Sequence, residues 1–213
     1  MTPPALSKER IVAAALAVLD EGGLDGLTLR AVATRLGVQA PALYWHVKNK
    51  QDLLDEMGTS LWRSIYSVIG ALPDDTPWNE GMAAFATELR RTLLAHRDGA
   101  KVFSGTYLTD ASILQQQEEP LARMIAEGFT LTDALRISAL VYNFTVGFCI
   151  EEQAVRQSDD DRYTPETRSG RFSDAENPLV VASGAEMFGD QDARFQAMLD
   201  ILLDAGARLQ SRK

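Results

Sequence analysis

The stretch from Thr28 to Lys50, TLRAVATRLGVQAPALYWHVKNK, constrains this chain more than any other, because spacing, helix punctuation and charge agree within it. Thr28 is a good N-cap, and Leu29, Val32, Ala33 and Leu36 follow it on one helical stripe. Gly37 stands where that helix must stop, since a left-handed residue after a helix costs glycine little. Pro41 is tolerated in a first turn, and Ala42, Leu43, Tyr44, Trp45 and His46 continue a second short helix. Two helices around so short a turn read as a helix-turn-helix, the second helix being the one that enters a major groove. The stretch holds Arg30, Arg35, Lys48 and Lys50 and no Asp or Glu, in a chain of net charge −9, so phosphate is its natural partner. The plainer reading is a solvated basic helical pair with Tyr44 and Trp45 in its core, and Trp45 is expected mainly there.

The charge is unevenly placed. Residues 1–50 carry six Lys and Arg against four Asp and Glu, which leaves 15 against 26 for the rest of the 213 residues. A basic reader on an acidic body meets phosphate through one face only. The 46% hydrophobic content and mean hydropathy of −0.13 suit a globular chain with one or two domains. No run of 18 apolar residues occurs, and MTPPALSKER lacks an apolar signal core, so no membrane partner is expected and the place of action is expected to be the cytoplasm. The single Cys149 lies in an apolar run and reads as packing. His46 and His96 are the only histidines, with no partner at metal-motif spacing, so no catalytic residue, metal site or cofactor is expected.

Elsewhere the pattern is helical. Ser7 starts a scaffold helix that ends at Gly22-Gly23, and Leu53, Leu54, Met57, Leu61, Ile65 and Val68 mark a connector from Lys50 to about Gly70. Trp78–Ala95 forms another helix, with a stop near Gly99; residues 110–127 form one interrupted or restarted at Pro120. Thr130 or Thr132 caps a long helix, apolar nearly all round, through Ile150. A polar stretch from Gln157 to Pro178 reads as a loop or lid in which Asp159, Asp160 and Asp161 are solvated charges. A short helix over Leu179–Phe188 and a last one near 191–210 complete the chain.

LTLRAVATRLGVQAPA followed by LYWHVKNKQDLLDEM resembles the DNA-binding domain of the tetracycline-repressor (TetR) family, and HRDGAKVFSGT at 96–106 and NFTVGFCIEEQ at 143–153 are similar to the ligand-binding core of its tetracycline-repressor branch. The resemblance implies an all-α fold: a three-helix DNA-binding domain at 1–50 and a helical ligand-binding and dimerisation domain at 51–213. It implies a homodimer that binds double-stranded operator DNA and is released by a small organic effector. The DNA-contacting positions it implies are Thr28, Arg30, Gln39, Ala40, Pro41, Tyr44, Trp45, His46 and Lys50, with Arg30 suited to guanine and Lys50, Tyr44 and His46 to phosphate. Ala40 and Ala42 replace a base-reading glutamine and a threonine, so a different operator is expected. The implied ligand positions are Tyr66, Phe85, Leu89, Phe103, Thr106, Asn143 and Glu151. Three histidines that serve a magnesium–drug complex in that branch are replaced by Tyr66, Phe103 and Asn143, which leaves a poor Mg²⁺ site and favours a metal-free, largely apolar ligand. Asn143 and Glu151 share a face of an apolar helix, so burial would oblige them to find partners. The alternative is a helical binding protein that keeps the fold without regulating transcription; the basic stretch at 28–50 argues against it.

Overall fold

A computed structural model of the chain describes residues 5–158 and 175–210, together with Thr164, Glu166, Thr167 and residues 170–172. Among the described residues every regular element is a helix. α1 (Lys8–Gly26), α2 (Leu29–Leu36) and a 3₁₀ helix (Ala40–Trp45) form the reader, and α3 (Lys50–Ile69) leads out of it. The body contains α4 (Trp78–Leu94), α5 (Gly99–Phe103), α6 (Ala111–Gln115), α7 (Glu118–Ala126), α8 (Leu131–Arg156), α9 (Pro178–Phe188) and α10 (Gln191–Gln210). The aspartates at 159–161 lie outside the described residues, and so does much of the expected lid.

Side-chain caps set the helix starts. Ser7, Thr28, Asn49 and Thr130 each accept from an amide three residues on: Arg10, Ala31, Asp52 and Asp133 at 2.9–3.3 Å. Gly37 takes the left-handed conformation (φ 68°, ψ 28°), and Val38 N turns back to donate to Ala33 O at 3.0 Å. The second helix of the motif is a 3₁₀ helix: Ala42 N donates to Gln39 O and His46 N to Leu43 O, both at 2.9 Å. In so short a segment, opened by a proline that lacks a donor, i→i+3 bonds satisfy amides that an α-turn would leave over.

Two boundaries and one buried position differ from expectation. The break before α7 falls at Gln116-Gln117 rather than at Pro120, which sits in the first turn of α7 where its missing N–H removes no helical bond. Gly99 opens α5 instead of closing α4, because α4 already ends at Leu94. Val68, assigned to the connector's apolar stripe, is exposed, whereas Leu61 and Ile65 of the same stripe are buried.

The reader has its own core. Ile11, Ala15, Leu19, Leu27, Val32, Leu43 and Leu53 are fully buried in it, and Met57 and Val102 close its base. The first turns of α3 therefore belong to the reader's packing as well as to the connector. α8 explains its all-round apolarity by having three duties. Ile137, Val141 and Phe148 pack against Trp78, Phe195 and Leu199, while Val146 and Cys149 pack against Leu89, Leu93 and Phe103. The third side, carrying Leu140, Asn143, Gly147, Glu151 and Ala154, faces outward. By length and composition α8 is also apolar enough to cross a membrane, the property a core helix shares with a spanning one.

Candidate functional site

On the reader, α2 and the 3₁₀ helix present one outward face. Thr28, Arg30, Gln39, Pro41, Tyr44, Trp45 and Lys50 are exposed there, with His46 and Ala40 half-buried beside them. Trp45 is 90% exposed and Tyr44 54%, which corrects the expectation of a core indole. Leu43 and Val47 fill the interior instead, so an indole at the intervening position must point away on a helix this tight. Among the described residues the Arg30 guanidinium meets no acceptor, whereas Arg35 pairs with Glu21 at 2.6 Å. Lys50 Nζ donates to Leu24 O at 2.9 Å, which uses one of its three protons. Lys8, at the start of α1, is taken by an ion pair with Glu56.

The reader is clasped to the body where α1 bends. Gly23 has φ 65°, and a Cβ there would stand 2.7 Å from Asp98 Oδ2, so conformation and space both require glycine. Leu24 N donates to Asp98 Oδ2 at 2.9 Å, Arg97 N donates to Asp20 Oδ1 at 3.2 Å, and His96 Nδ1 lies 3.0 Å from the same oxygen. The 96–98 turn is tied in turn to α8: the buried Gln153 amide donates to Leu93 O and His96 O and accepts from Ala100 N.

Within the body a cavity of about 630 Å³ opens between α3, α4, α6, α7 and α8. Each long helix supplies a turn-spaced stripe to it: Trp62, Tyr66 and Ile69 from α3; Trp78, Met82 and Phe85 from α4; Leu135, Ser138, Ala139 and Tyr142 from α8. The rings of Tyr66, Phe85 and Tyr142 lie within 18–20° of the plane of Trp62, at 5.4–6.0 Å between centroids. Burial raises the Tyr66 phenol above its ordinary value against a hydrogen bond with Gln117, and burial alone raises Tyr142. Both phenols therefore stay neutral donors at physiological pH.

Only two of the seven expected ligand positions, Tyr66 and Phe85, line this cavity. Leu89 is fully buried between α3, α5 and α8. Phe103, 1% exposed, stands behind Trp62 and Tyr142 as a backing ring. Thr106 donates to Phe103 O at 3.0 Å and packs on α3 at Gly58, where any Cβ would collide with its hydroxyl. Asn143 and Glu151 do share a face, yet that face is the exposed one, so the burial expected to force partners on them is absent in a single chain. Trp62 and Tyr142 were not among the candidates. The i, i+4 pair Trp62 and Tyr66 was the available signal, offset by one residue from the stripe through Leu61 and Ile65.

The remaining polar interior is neutralised. Arg90 pairs with Glu152 through two bonds of 2.8 and 3.0 Å and with Asp192 at 2.6 Å, and its guanidinium stands over the Phe195 ring at 4.9 Å. Burial pushes the Cys149 thiol up to about 12, helped by Glu152, so it carries no thiolate to act as a nucleophile. Among the described residues no group of three or more His, Cys, Asp or Glu is placed to hold a metal ion.

Comparison with known proteins gives one pattern along the whole chain. Residues 11–57 match the family model described as bacterial regulatory proteins, tetR family, and residues 70–207 match the tetracyclin repressor-like C-terminal domain. The chain is 34% identical over 205 residues to the tetracycline repressor protein class A from transposon 1721 of Escherichia coli, covering 95% of this chain and 91% of that one. A possible TetR family transcriptional regulator from Streptomyces coelicolor A3(2) superposes with a TM-score of 0.84 at 36% identity, covering 95% of this chain and all of that one. The class A repressor in complex with 5a,6-anhydrotetracycline and magnesium superposes with a TM-score of 0.71 at 30% identity, covering 95% and 99%.

Proposed function

The chain belongs to the TetR family of bacterial transcriptional regulators, and from that premise we propose that it represses transcription as a homodimer that leaves its operator when a small organic molecule fills the cavity. One observation carries this reading. α3 begins at Lys50 on the DNA-reading face, contributes Leu53 and Met57 to the reader's core, and presents Trp62 and Tyr66 to the cavity. A ligand against those two rings therefore touches the same rigid helix that sets where the reader stands. It shifts the equilibrium only by its difference in affinity between the two reader positions, and reversing a population from nearly all bound to nearly all released needs roughly 5.5 kcal/mol.

Arg30 is the base-reading residue in this proposal, since its five donors are open and a guanidinium fork fits guanine O6 and N7. Thr28, Gln39, Tyr44, His46, Lys48 and Lys50 hold phosphates; Trp45, Ala40 and Pro41 make apolar contact with sugar or thymine methyl. The second copy packs on the outer stripe of α8 and on α10, where Ile201 is 68% and Leu140 52% exposed. Asn143 and Glu151 then lie at the subunit interface rather than in the chain's own cavity. A magnesium–drug complex such as the class A repressor holds does not fit: Tyr66 and Phe103 offer no imidazole, and Phe103 is sealed behind Trp62. The non-regulating alternative leaves the open cationic and aromatic face of the reader without a purpose.

The test is a footprint of the purified protein on the DNA flanking its own gene, with and without candidate compounds. Protection of a two-fold symmetric site that a cavity ligand abolishes is the expected result; no protection at any site overturns the proposal.

A further inference from the structure

The balance of charge around the cavity discriminates among ligands, and this inference rests on the effector reading above. Arg123 is the one cation that lines the cavity among the described residues, and it is already engaged. Its guanidinium pairs with Glu119 at 3.1 Å and donates to Pro73 O at 3.2 Å and Thr76 O at 3.3 Å. Glu118, an exposed residue of the lining, meets no cation among the described residues. An anionic ligand would thus enter a site with no counter-charge to offer and two carboxylates beside its entrance. Besides Glu118, the amides of Gln115 and Gln116 and the phenol of Tyr142 remain open, with no partner among the described residues. Inside, the rings of Trp62, Tyr66, Phe85 and Tyr142 share one orientation, so they favour a flat guest, and their faces carry the negative side of the aromatic quadrupole. The long-range field has the same sign, since residues 51–213 hold 26 acidic against 15 basic side chains.

We propose that the cavity selects planar aromatic cations over neutral rings of the same shape, and rejects aromatic carboxylates. The cation gains from the ring faces and from Glu118; the carboxylate must displace Glu119 from Arg123 or stay unpaired.

Three compounds with one two-ring plane separate the possibilities: N-methylquinolinium, methylnaphthalene and naphthoate, positive, neutral and negative. Each is titrated calorimetrically into the full chain, and operator affinity is measured in the saturated complexes by gel shift. The expected order is cation, neutral, anion, with the cation ahead of the anion by roughly tenfold. Glu118→Gln, at an exposed position that does not threaten the fold, should narrow that ratio severalfold while leaving the neutral compound unchanged. If naphthoate binds as well as the cation, or N-methylquinolinium gives no heat at millimolar concentration, the charge inference falls. If the order holds but no saturated complex changes operator affinity, the effector reading falls and the charge preference stands.

Discussion

Reader and body treat their polar groups in opposite ways. The reader closes a small, fully aliphatic core and leaves the Arg30 guanidinium, the Tyr44 phenol and the whole of Trp45 in solvent. The body ties up its buried charges, as Arg90 and Glu152 do with Arg156 and Asp192 across α4, α8 and α10, and keeps its empty space inside among the rings of Trp62, Tyr66, Phe85 and Tyr142. The difference follows from the partner each suits. A polyanion larger than the reader is met by solvated groups on a convex surface, where loss of counter-ions drives binding. A small organic molecule must be enclosed, and enclosure is favourable where it covers apolar rings and meets the few polar groups left open among them.

The largest expected effect comes from separating the two readers, since one reader alone is insufficient. Leu140→Asp combined with Ile201→Asp places a carboxylate on each exposed apolar stripe, and sedimentation should show a folded monomer. Specific operator affinity should drop about a thousandfold toward the non-specific level, because a single groove contact carries little discrimination. A monomer that kept tight, specific binding would show that the outer face of α8 has another use.

Next come two aromatic deletions that the comparison separates. Phe103→Ala removes a ring sealed behind Trp62 and should lower unfolding free energy by about 3–5 kcal/mol in urea denaturation. Trp45→Ala should change it by less than about 0.5 kcal/mol, because almost none of that ring is buried, and should weaken operator binding about tenfold instead. Equal stability losses in the two variants would contradict the assignment of Trp45 to the DNA face.

The same contrast explains what could be read from the sequence. Ser7, Thr28 and Thr130 accept from amides three residues on, and Gly37 donates its own N–H to carbonyls of the turn before it, so these local caps are legible in the sequence, as is the basic sign of 28–50. The cavity was not, because its wall is chosen by how three helices rotate against one another. One step along α3 separates Leu61, which faces the core, from Trp62, which faces the cavity. Asn143 and Glu151 were rightly placed on one face, but spacing does not say which of three faces of α8 looks outward. For the Trp45 indole, an apolar composition pointed inward while the tight 3₁₀ turn pointed it out.

Within the reader, substitutions should divide specificity from attraction. Arg30→Ala should lower discrimination between operator and shuffled DNA by about 1–3 kcal/mol. Lys48→Ala, whose ammonium has no partner among the described residues, should weaken both DNAs alike and reduce the salt slope by about one. Lys50→Ala should do the same with some added loss of stability, since Leu24 O loses its donor. Competition titrations at several salt concentrations decide it, and a changed base preference in Lys48→Ala would overturn the division.

The smallest effect sits at the seam between the two regions. Burial works against ionisation of Asp98, but Lys101, the Leu24 amide and Arg97 outweigh it and hold its carboxyl below the ordinary 3.8. A carboxylate whose pKa is lowered on folding contributes stability that is fully present above the unfolded value and is lost as pH falls through the folded one. Asp98→Asn keeps the side chain's shape, tolerates the left-handed backbone at φ 53° and keeps a carbonyl oxygen to accept from Leu24 N, while removing the charge and the acceptor that meet Lys101. At neutral pH the variant should be less stable than the parent by about 0.2–1 kcal/mol, the range of a solvent-screened ion pair. The two urea midpoints should begin to converge as pH falls below 3.8, where the unfolded carboxyl protonates, and should meet only below the lowered folded value, where the parent's carboxyl is neutral in both states. A gap that stayed constant to the lowest pH would mean that Asp98 holds α1 through hydrogen bonding to Leu24 alone, and that charge plays no part in joining the reader to the body.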